Sequence, residues 1–185
     1  DKKLARFKDE EFIKSAAPLE GYLFPDTYFF LPNADEKVVI RTMLSNFELQ
    51  IARIQPEIDA FGKPLQDVLT MASLLEKEAR IPRDRQKIAG VLWRRISINM
   101  PLQVDAAFLY FLGRTTFDLT KKDLQTDSPY NTYKYKGLPP GPINSPGLDA
   151  IRAAMTPIDT GALFYLADNN GVTHFSKTYE QHLQY

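Results

Sequence analysis

Residues 69–79, LTMASLLEKEA, form a segment that ends with two glutamates among apolar residues. Val68, Met71 and Leu75 recur at helical spacing, and Ala72 and Ala79 extend the same face. This pattern predicts a helix with a buried stripe. A chain that contains such a helix has to supply a core for it, and 185 residues with 44% hydrophobic content are enough to do so.

The two glutamates at the end of this segment are predicted to differ. Glu76 and Glu78 lie two residues apart, so they point to nearly opposite sides of a helix and cannot act as a close acid pair. Glu78 follows Leu75 by three residues and therefore borders the apolar stripe. A carboxyl group against apolar surface tends to keep its proton, as a general acid must near neutral pH. The alternative is that both side chains flank the buried face and extend into water, which is the commoner arrangement.

Composition narrows the classes of function. Lys plus Arg and Asp plus Glu both number 23, and a net charge near zero argues against nucleic acid or an anionic membrane as the main partner. The absence of cysteine excludes disulfides, thiol chemistry and cysteine-based zinc sites. Length favours one domain, or one domain with a short appendage. Since the sequence starts at Asp1 without Met, a preceding segment with a membrane anchor stays open.

Several kinds of catalytic site have no support in the sequence. The two histidines, His174 and His182, are eight residues apart with no carboxylate at zinc-protease spacing. No G-x-S-x-G motif is present, so Ser73 is predicted to be a helix-packing residue. No glycine-rich phosphate loop occurs either. We therefore expect chemistry from carboxylates, amides and hydroxyls, with no metal or organic cofactor.

The fold class predicted from the remaining pattern is α+β, a helical body with a small antiparallel sheet in a single catalytic domain. Residues 19–31 are rich in aromatics around Gly21 and Pro25, which predicts two short extended pieces that help to build the sheet. A hairpin is predicted from strands 163–167 and 172–176 around the DNNG turn at 168–171.

Helices are predicted on both sides of the glutamate segment. Asn33, with Glu36 three residues later, is predicted to cap one, and Pro64 to open the glutamate helix itself. The other predicted helices are a lead-in over residues 1–17 ended by Pro18, a helix over about 85–98, a short apolar helix stopped by Gly113, one or two turns capped by Thr120 and Asp123, and a helix begun by Ser145 and Pro146.

Residues 128–147, SPYNTYKYKGLPPGPINSPG, combine five prolines with three tyrosines and two asparagines. Proline content of this order is typical of disorder, but disordered segments are poor in aromatics. We therefore predict an ordered loop that contacts a ligand. Aromatic faces and amides of this kind suit sugars in particular.

Seven blocks of the sequence occur in an order that resembles the YceG-like family of endolytic murein transglycosylases. They are LEGYLFPDTY (19–28), TMASLLEKEA (70–79), IAGVLWRRI (88–96), LQVD (102–105), YNTY (130–133), GLPPGPI with SPG (137–147) and FYLADNNGVTHFS (164–176). The chain departs from the commoner family pattern LQ[TS]DPT at Val104 and Ala106. The resemblance implies a catalytic domain over residues 19–185, with residues 1–18 as a lead-in from a LysM-like and membrane-anchored region.

The activity that this resemblance implies is cleavage of the β-1,4 bond between N-acetylmuramic acid and N-acetylglucosamine within glycan strands, leaving 1,6-anhydro ends. One glutamate can then act as acid and afterwards as base, because the substrate's own C6 hydroxyl attacks. The family pattern and the helix geometry both favour Glu78. The resemblance also implies a cell-envelope location at the outer face of the cytoplasmic membrane, peptidoglycan as substrate and peptidoglycan synthases as candidate partners.

Further site residues are expected around Glu78. Gln103 and Asp105 are expected to face the cleft, although Asp105 could equally cap the helix that follows it. The other candidates for substrate binding are Asn131, Thr132, Tyr133, Glu20 and Tyr28. Two alternatives stay open: a glycan-binding or scaffold module without turnover, and a murein hydrolase that uses Asp105 or Glu20 as a second carboxylate.

Overall fold

The computed structural model describes residues 4–115, 118–168 and 170–185. Within these ranges the chain forms seven α-helices and one two-stranded antiparallel sheet, which confirms the predicted α+β class. Residues 1–3 of the predicted lead-in and Asn169 of the predicted turn lie outside the described residues. No helix in these ranges combines the length and apolar character needed to cross a membrane.

The helices in chain order are α1 (Asp9–Ala16), α2 (Glu36–Phe61), α3 (Leu65–Glu78), α4 (Pro82–Ser97), α5 (Ala106–Leu112), α6 (Leu148–Met155) and α7 (Tyr179–His182). Long irregular connections lie between α1 and α2 and between α5 and α6. Single 3-10 turns occupy Ala17–Leu19 and Asp123–Gln125. The strands β1 (Phe164–Ala167) and β2 (Thr173–Ser176) pair between α6 and α7.

Helix α3 lies at the centre of the core. Every residue from Val68 to Leu75 is buried, so the helix is covered on all sides and not only along the predicted stripe. It packs against α4, α5 and α6, while α2 adds Phe47, Ile51 and Ile54 to the same core. Complete burial of a large apolar side chain stabilises a fold by about 1.5–3 kcal/mol. The helix that carries the two glutamates is thus fixed by much of the core.

Close packing also fixes α4 against the segment that follows α6. Gly90 lies against the backbone carbonyl of Ile158, so close that an added Cβ would lie 2.1 Å from its oxygen. The amide of Ile158 in turn donates to the carbonyl of Gln86 at 2.9 Å. This contact holds the chain that leads into β1 beside α4.

Most predicted elements are confirmed, with shifts at their ends. Pro64 precedes α3, Gly113 ends α5 in the left-handed conformation, and the two strands pair as a hairpin. Asp123 accepts hydrogen bonds from Thr120 at the start of its 3-10 turn. Helix α4 begins at Pro82 and not near residue 85, because proline is well suited to the first helical position.

Two predictions are wrong. The cap of α2 is Asp35 and not Asn33: the Asp35 carboxylate accepts from the amide of Val38 at 2.9 Å, so the helix starts two residues later. Residues 19–31 form no strand and do not join the sheet. Gly21 has a φ of 89°, and Pro25 has no amide to donate to a ladder, so the segment folds as an irregular aromatic turn.

Candidate functional site

Glu78 is the last residue of α3, where the chain leaves the helix. Ala79 takes an extended conformation (φ −149°, ψ 149°), and its amide makes the last helical bond to Leu75 at 3.3 Å. The buried part of α3 ends at Leu75, so the final turn emerges from the core. Glu78 therefore lies where the central helix of the core meets the surface.

A cavity of about 620 Å³ opens beside Glu78. Its walls come from the end of α3, from α4, from the loop before α5, from the loop that carries Tyr133, from the hairpin and from α7. The polar and aromatic lining includes Glu78, Arg95, Gln103, Asp105, Tyr133, Phe164, Tyr165, Tyr179 and His182. The cavity thus combines one acid at a helix end with aromatic faces and hydrogen-bonding groups.

Two further cavities also border Glu78. One of about 180 Å³ is shared with Asp105 and Arg114, and one of about 520 Å³ lies between the 79–84 segment and the hairpin. Lys77 lines all three. Glu78 therefore has open space on more than one side.

The surroundings of Glu78 favour its protonated form. Burial raises its pKa to about 7, and the nearby negative charge of Asp105 acts in the same direction. Tyr165 opposes this shift, because its hydroxyl donates to Oε2 of Glu78 at 2.9 Å and so stabilises the ionised carboxylate. The negative end of the α3 dipole also disfavours a charged carboxylate here. A carboxyl group with this pKa is suited to general acid and base chemistry near neutral pH.

Asp105 and Gln103 reach the cavity from a strained loop. Gln103 has a φ of 52°, and its amide donates to the carbonyl of Thr132 at 2.9 Å. The hydroxyl of Tyr133 donates to the Asp105 carboxylate, and this bond, with burial as the larger cause, raises the pKa of Tyr133. The structure places Gln103, Asp105 and Tyr133 together with Glu78 at one cavity. Asp105 makes no side-chain cap to α5.

Asn131 and Thr132 are buried and support the loops of the site. The Asn131 amide donates to the carbonyls of Leu124 and Thr126 at 3.0 and 2.8 Å. The Thr132 hydroxyl donates to the Val104 carbonyl at 3.0 Å and accepts from its amide at 2.9 Å. Their polar groups are thus engaged with the backbone. The structure gives these two residues a supporting place next to the cavity and not one in its wall.

Glu20 and Tyr28 lie away from this group. Tyr28 donates to the Phe24 carbonyl at 2.7 Å and accepts from Asn46 at 3.0 Å, which pins the aromatic turn. Glu20 neighbours Tyr110, and burial raises its pKa. Neither residue lines the three cavities that border Glu78.

Arg95 is a buried cation at the base of the cavity, with an exposed fraction of 4%. Its Nε donates to the Leu163 carbonyl at 2.7 Å, and its Nη1 donates to the Leu102 carbonyl at 2.6 Å. The guanidinium also lies over the ring of Phe164 at 5.3 Å. Arg95 therefore ties the loop that carries Gln103 and Asp105 to the strand that carries Tyr165.

Sequence reasoning missed both Arg95 and Tyr165. The sequence places Arg95 within the helix predicted over about 85–98 and Tyr165 within the first strand of the predicted hairpin, with no site role for either. An arginine within an apolar helical face is itself a signal, because a buried cation requires several acceptors. Tyr165 lies 87 residues from Glu78 in the chain, and nothing local marks the pair. In the described part of the chain no three His, Asp or Glu side chains cluster as a metal site would need.

Comparison with known proteins agrees with the resemblance seen in the sequence. The model of the YceG-like family matches residues 1–185. Proteins named endolytic murein transglycosylase are similar in Bacillus subtilis (42% identity, 89% of this chain and 46% of that protein) and in Streptococcus pneumoniae serotype 2 strain D39 (33% identity, 97% and 37%). The chain thus spans less than half the length of these curated relatives.

A solved structure shares the fold. The crystal structure of a protein described as yceG-like from Listeria monocytogenes matches with a TM-score of 0.84 and 38% sequence identity, over 95% of this chain and 62% of that chain. The arrangement of helices around α3, with the hairpin beside it, is therefore shared with a relative. The chain belongs to the YceG-like family.

Proposed function

We propose that this chain carries the catalytic part of an endolytic murein transglycosylase. It acts on the β-1,4 bond between N-acetylmuramic acid and N-acetylglucosamine within peptidoglycan strands and leaves 1,6-anhydro ends. The observation that carries the proposal is Glu78, a carboxyl group with a pKa of about 7 at the wall of an open cavity. The names of the Bacillus and Streptococcus relatives support the same reaction class.

In the proposed mechanism one carboxyl group serves twice. Glu78 first donates its proton to the leaving glycosidic oxygen while the bond from that oxygen to C1 breaks. The C6 hydroxyl of the same muramic acid then attacks C1, and its proton returns to Glu78. No water is consumed, so this route needs no second carboxylate to activate one.

The other site residues have supporting parts in this proposal. Gln103, Asp105 and Tyr133 face the same cavity as Glu78 and are proposed to bind the sugar, with Asn131 and Thr132 holding their loops. We assign no direct contact to Glu20 and Tyr28. The same proposal includes a cell-envelope location, a membrane anchor outside this chain and peptidoglycan synthases as partners. It also includes a catalytic domain over residues 19–185, preceded by a lead-in over residues 1–18.

A second candidate function is hydrolysis with Asp105 as the further carboxylate. Asp105 lines the cavity with Glu78, and its charge is close enough to raise the pKa of Glu78. Water activated by Asp105 would give a reducing end in place of the anhydro end. The two products differ by one water in mass.

Mass spectrometry of fragments released from purified peptidoglycan tests the proposal, with Glu78→Gln measured in parallel. We expect internal fragments with anhydro ends from the wild type and none from the variant. Reducing ends would assign the hydrolase. Turnover by Glu78→Gln would remove the assigned acid, and strand binding without release by either protein would indicate a binding module.

A further inference from the structure

The contact between Tyr165 and Glu78 joins the middle of β1 to the last residue of α3. We propose that Tyr165 is a positioning residue of the reaction, which holds Oε2 of Glu78 and leaves Oε1 to carry the transferred proton. This inference rests on the proposed role of Glu78 as acid and base. It adds that Oε1 is the oxygen that gives and takes the proton, and that Tyr165 determines this by holding Oε2.

The hydrogen bond defines which carboxyl oxygen is free. The Tyr165 hydroxyl donates to Oε2 at 2.9 Å. A neutral carboxylic acid has its proton on one oxygen, and the other, the carbonyl oxygen, is the stronger acceptor for a phenol O–H. In the described part of the chain the hydrogen bond from Tyr165 to Oε2 is the only one to this carboxyl group, and none reaches Oε1. The proton of Glu78 is therefore placed on the oxygen that no protein group occupies.

Tyr165 is itself held firmly. It pairs with Phe175 across the hairpin, and its ring packs against the buried core. Arg95 fixes the start of the same strand through the carbonyl of Leu163. A hydroxyl held on a strand in this way can orient Glu78 before substrate arrives, which lowers the cost of alignment during the reaction.

The hydroxyl of Tyr165 keeps its proton through both steps. Burial, reinforced by the charge of Glu78, raises the pKa of Tyr165 well above its usual value. When Glu78 gives its proton to the leaving oxygen, the resulting carboxylate still accepts from Tyr165 through Oε2. When the C6 hydroxyl loses its proton, that proton returns to Oε1. Tyr165 donates a hydrogen bond throughout and is neither oxidised nor deprotonated.

Other charged or titratable groups surround Glu78 and stay constant in the test. They come from its own helix, from α4 and the segment before it, from the loops beside the cavity and from α7. They are Glu76, Lys77, Arg80, Asp84, Arg95, Asp105, Arg114, Tyr133, Tyr179 and His182. A variant that alters only the Tyr165 hydroxyl leaves all of them in place.

The first test is Tyr165→Phe, assayed for strand cleavage from pH 5 to pH 9. Loss of the hydroxyl should lower kcat by about 10- to 100-fold with little change in KM, since alignment and not binding is affected. The alkaline limb of the rate profile should move to higher pH, because the ionised carboxylate loses a donor. Tyr22→Phe is the matched control: Tyr22 packs its ring against Phe47, away from the cavity, and both quantities should stay at the wild-type values.

A second variant keeps the ring and strengthens the donor. With 3-fluorotyrosine at position 165 the alkaline limb should move to lower pH, opposite to Tyr165→Phe. This variant decides the matter if Tyr165→Phe does not fold. A wild-type kcat and limb in Tyr165→Phe, or a fluorotyrosine shift that is absent or upward, would overturn the inference. Glu78→Gln separates this inference from the proposed function. If Glu78→Gln still cleaves strands, Glu78 is not the acid. If Glu78→Gln is inactive but Tyr165→Phe behaves as the wild type, only the positioning role of Tyr165 is rejected.

Discussion

Glu76 and Glu78 share the last turn of α3 but have opposite surroundings. Both oxygens of Glu76 accept hydrogen bonds, from Arg85 at 3.1 Å and from the amide of Gly147 at 3.1 Å, so its charge is compensated. Glu78 receives one hydrogen bond from Tyr165, faces a cavity and has a pKa of about 7. Two residues along a helix are nearly opposite in direction. The Glu76 carboxylate therefore contacts Arg85 and Gly147, whereas the Glu78 carboxyl group faces the cavity.

The largest expected difference between the two glutamates is in turnover. Glu78→Gln should lower the rate of strand cleavage by at least about 10³-fold, because the amide cannot donate the required proton. Glu76→Gln should leave the rate of the folded protein essentially unchanged. Initial rates on uncrosslinked glycan strands, corrected for the folded fraction, make the measurement. An equal loss in both folded variants would contradict the division of roles.

The next effect concerns stability as a function of pH. The pKa of Glu78 is raised by folding from 4.5 to about 7, so the native state holds a proton that the unfolded state has lost between these values. The free energy of unfolding of the wild type should therefore fall as pH rises through this window. The side chain in Glu78→Gln does not ionise, so the free energy of unfolding of this variant should not fall in this window. The variant should be more stable than the wild type by roughly 3 kcal/mol at pH 8, with the advantage vanishing near pH 4.

Urea unfolding at pH 4, 6 and 8 measures this difference. Glu76→Gln is the control, since that substitution should not reproduce the gain at pH 8. A Glu78→Gln variant whose stability relative to the wild type is the same at all three pH values would mean that Glu78 ionises as an ordinary surface glutamate. Glu76 and Glu78 would then not differ in how folding affects their ionisation.

The glutamates show what local sequence pattern can predict. Spacing alone separates Glu76 from Glu78 and places Glu78 at the border of the apolar stripe, because helix geometry is local. Pro64 and Gly113 mark helix ends for equally local reasons. The site roles of Arg95 and Tyr165 are not local in this way, since they depend on contacts with Leu163 and Glu78 that span 68 and 87 residues of the chain.

The roles of polar side chains in loops depend less on local sequence than those of residues on a helix face. Asn131 and Thr132 have the groups that bind a sugar, but the same groups satisfy buried backbone atoms, and the structure uses them in that way. The aromatic residues between 19 and 31 resemble a strand by composition. The positive φ of Gly21 and the missing amide of Pro25 instead favour a turn.

The smallest expected effect is on stability and concerns the ion pair between Glu76 and Arg85. The Glu76–Arg85 pair is partly buried, with exposed side-chain fractions of 30% and 11%. Glu76→Gln should lower the free energy of unfolding by about 1 kcal/mol. Arg85→Met should cost about 1–2 kcal/mol, because Nε of Arg85 also donates to the carbonyl of Ala79 at 2.7 Å and that acceptor would lose its partner.

A double-mutant cycle by urea unfolding at pH 7 separates these contributions. We expect the double variant to be about as stable as Arg85→Met, since Glu76 has little left to gain once its cationic partner is absent. Arg85→Met should also lower turnover modestly, because Ala79 is the residue that ends α3 directly after Glu78. Strict additivity of the two stability losses would show that Glu76 and Arg85 act independently. The Glu76 carboxylate would then be held only by the amide of Gly147. Glu76 and Glu78 would differ in their exposure to solvent and not in their pairing with a cation.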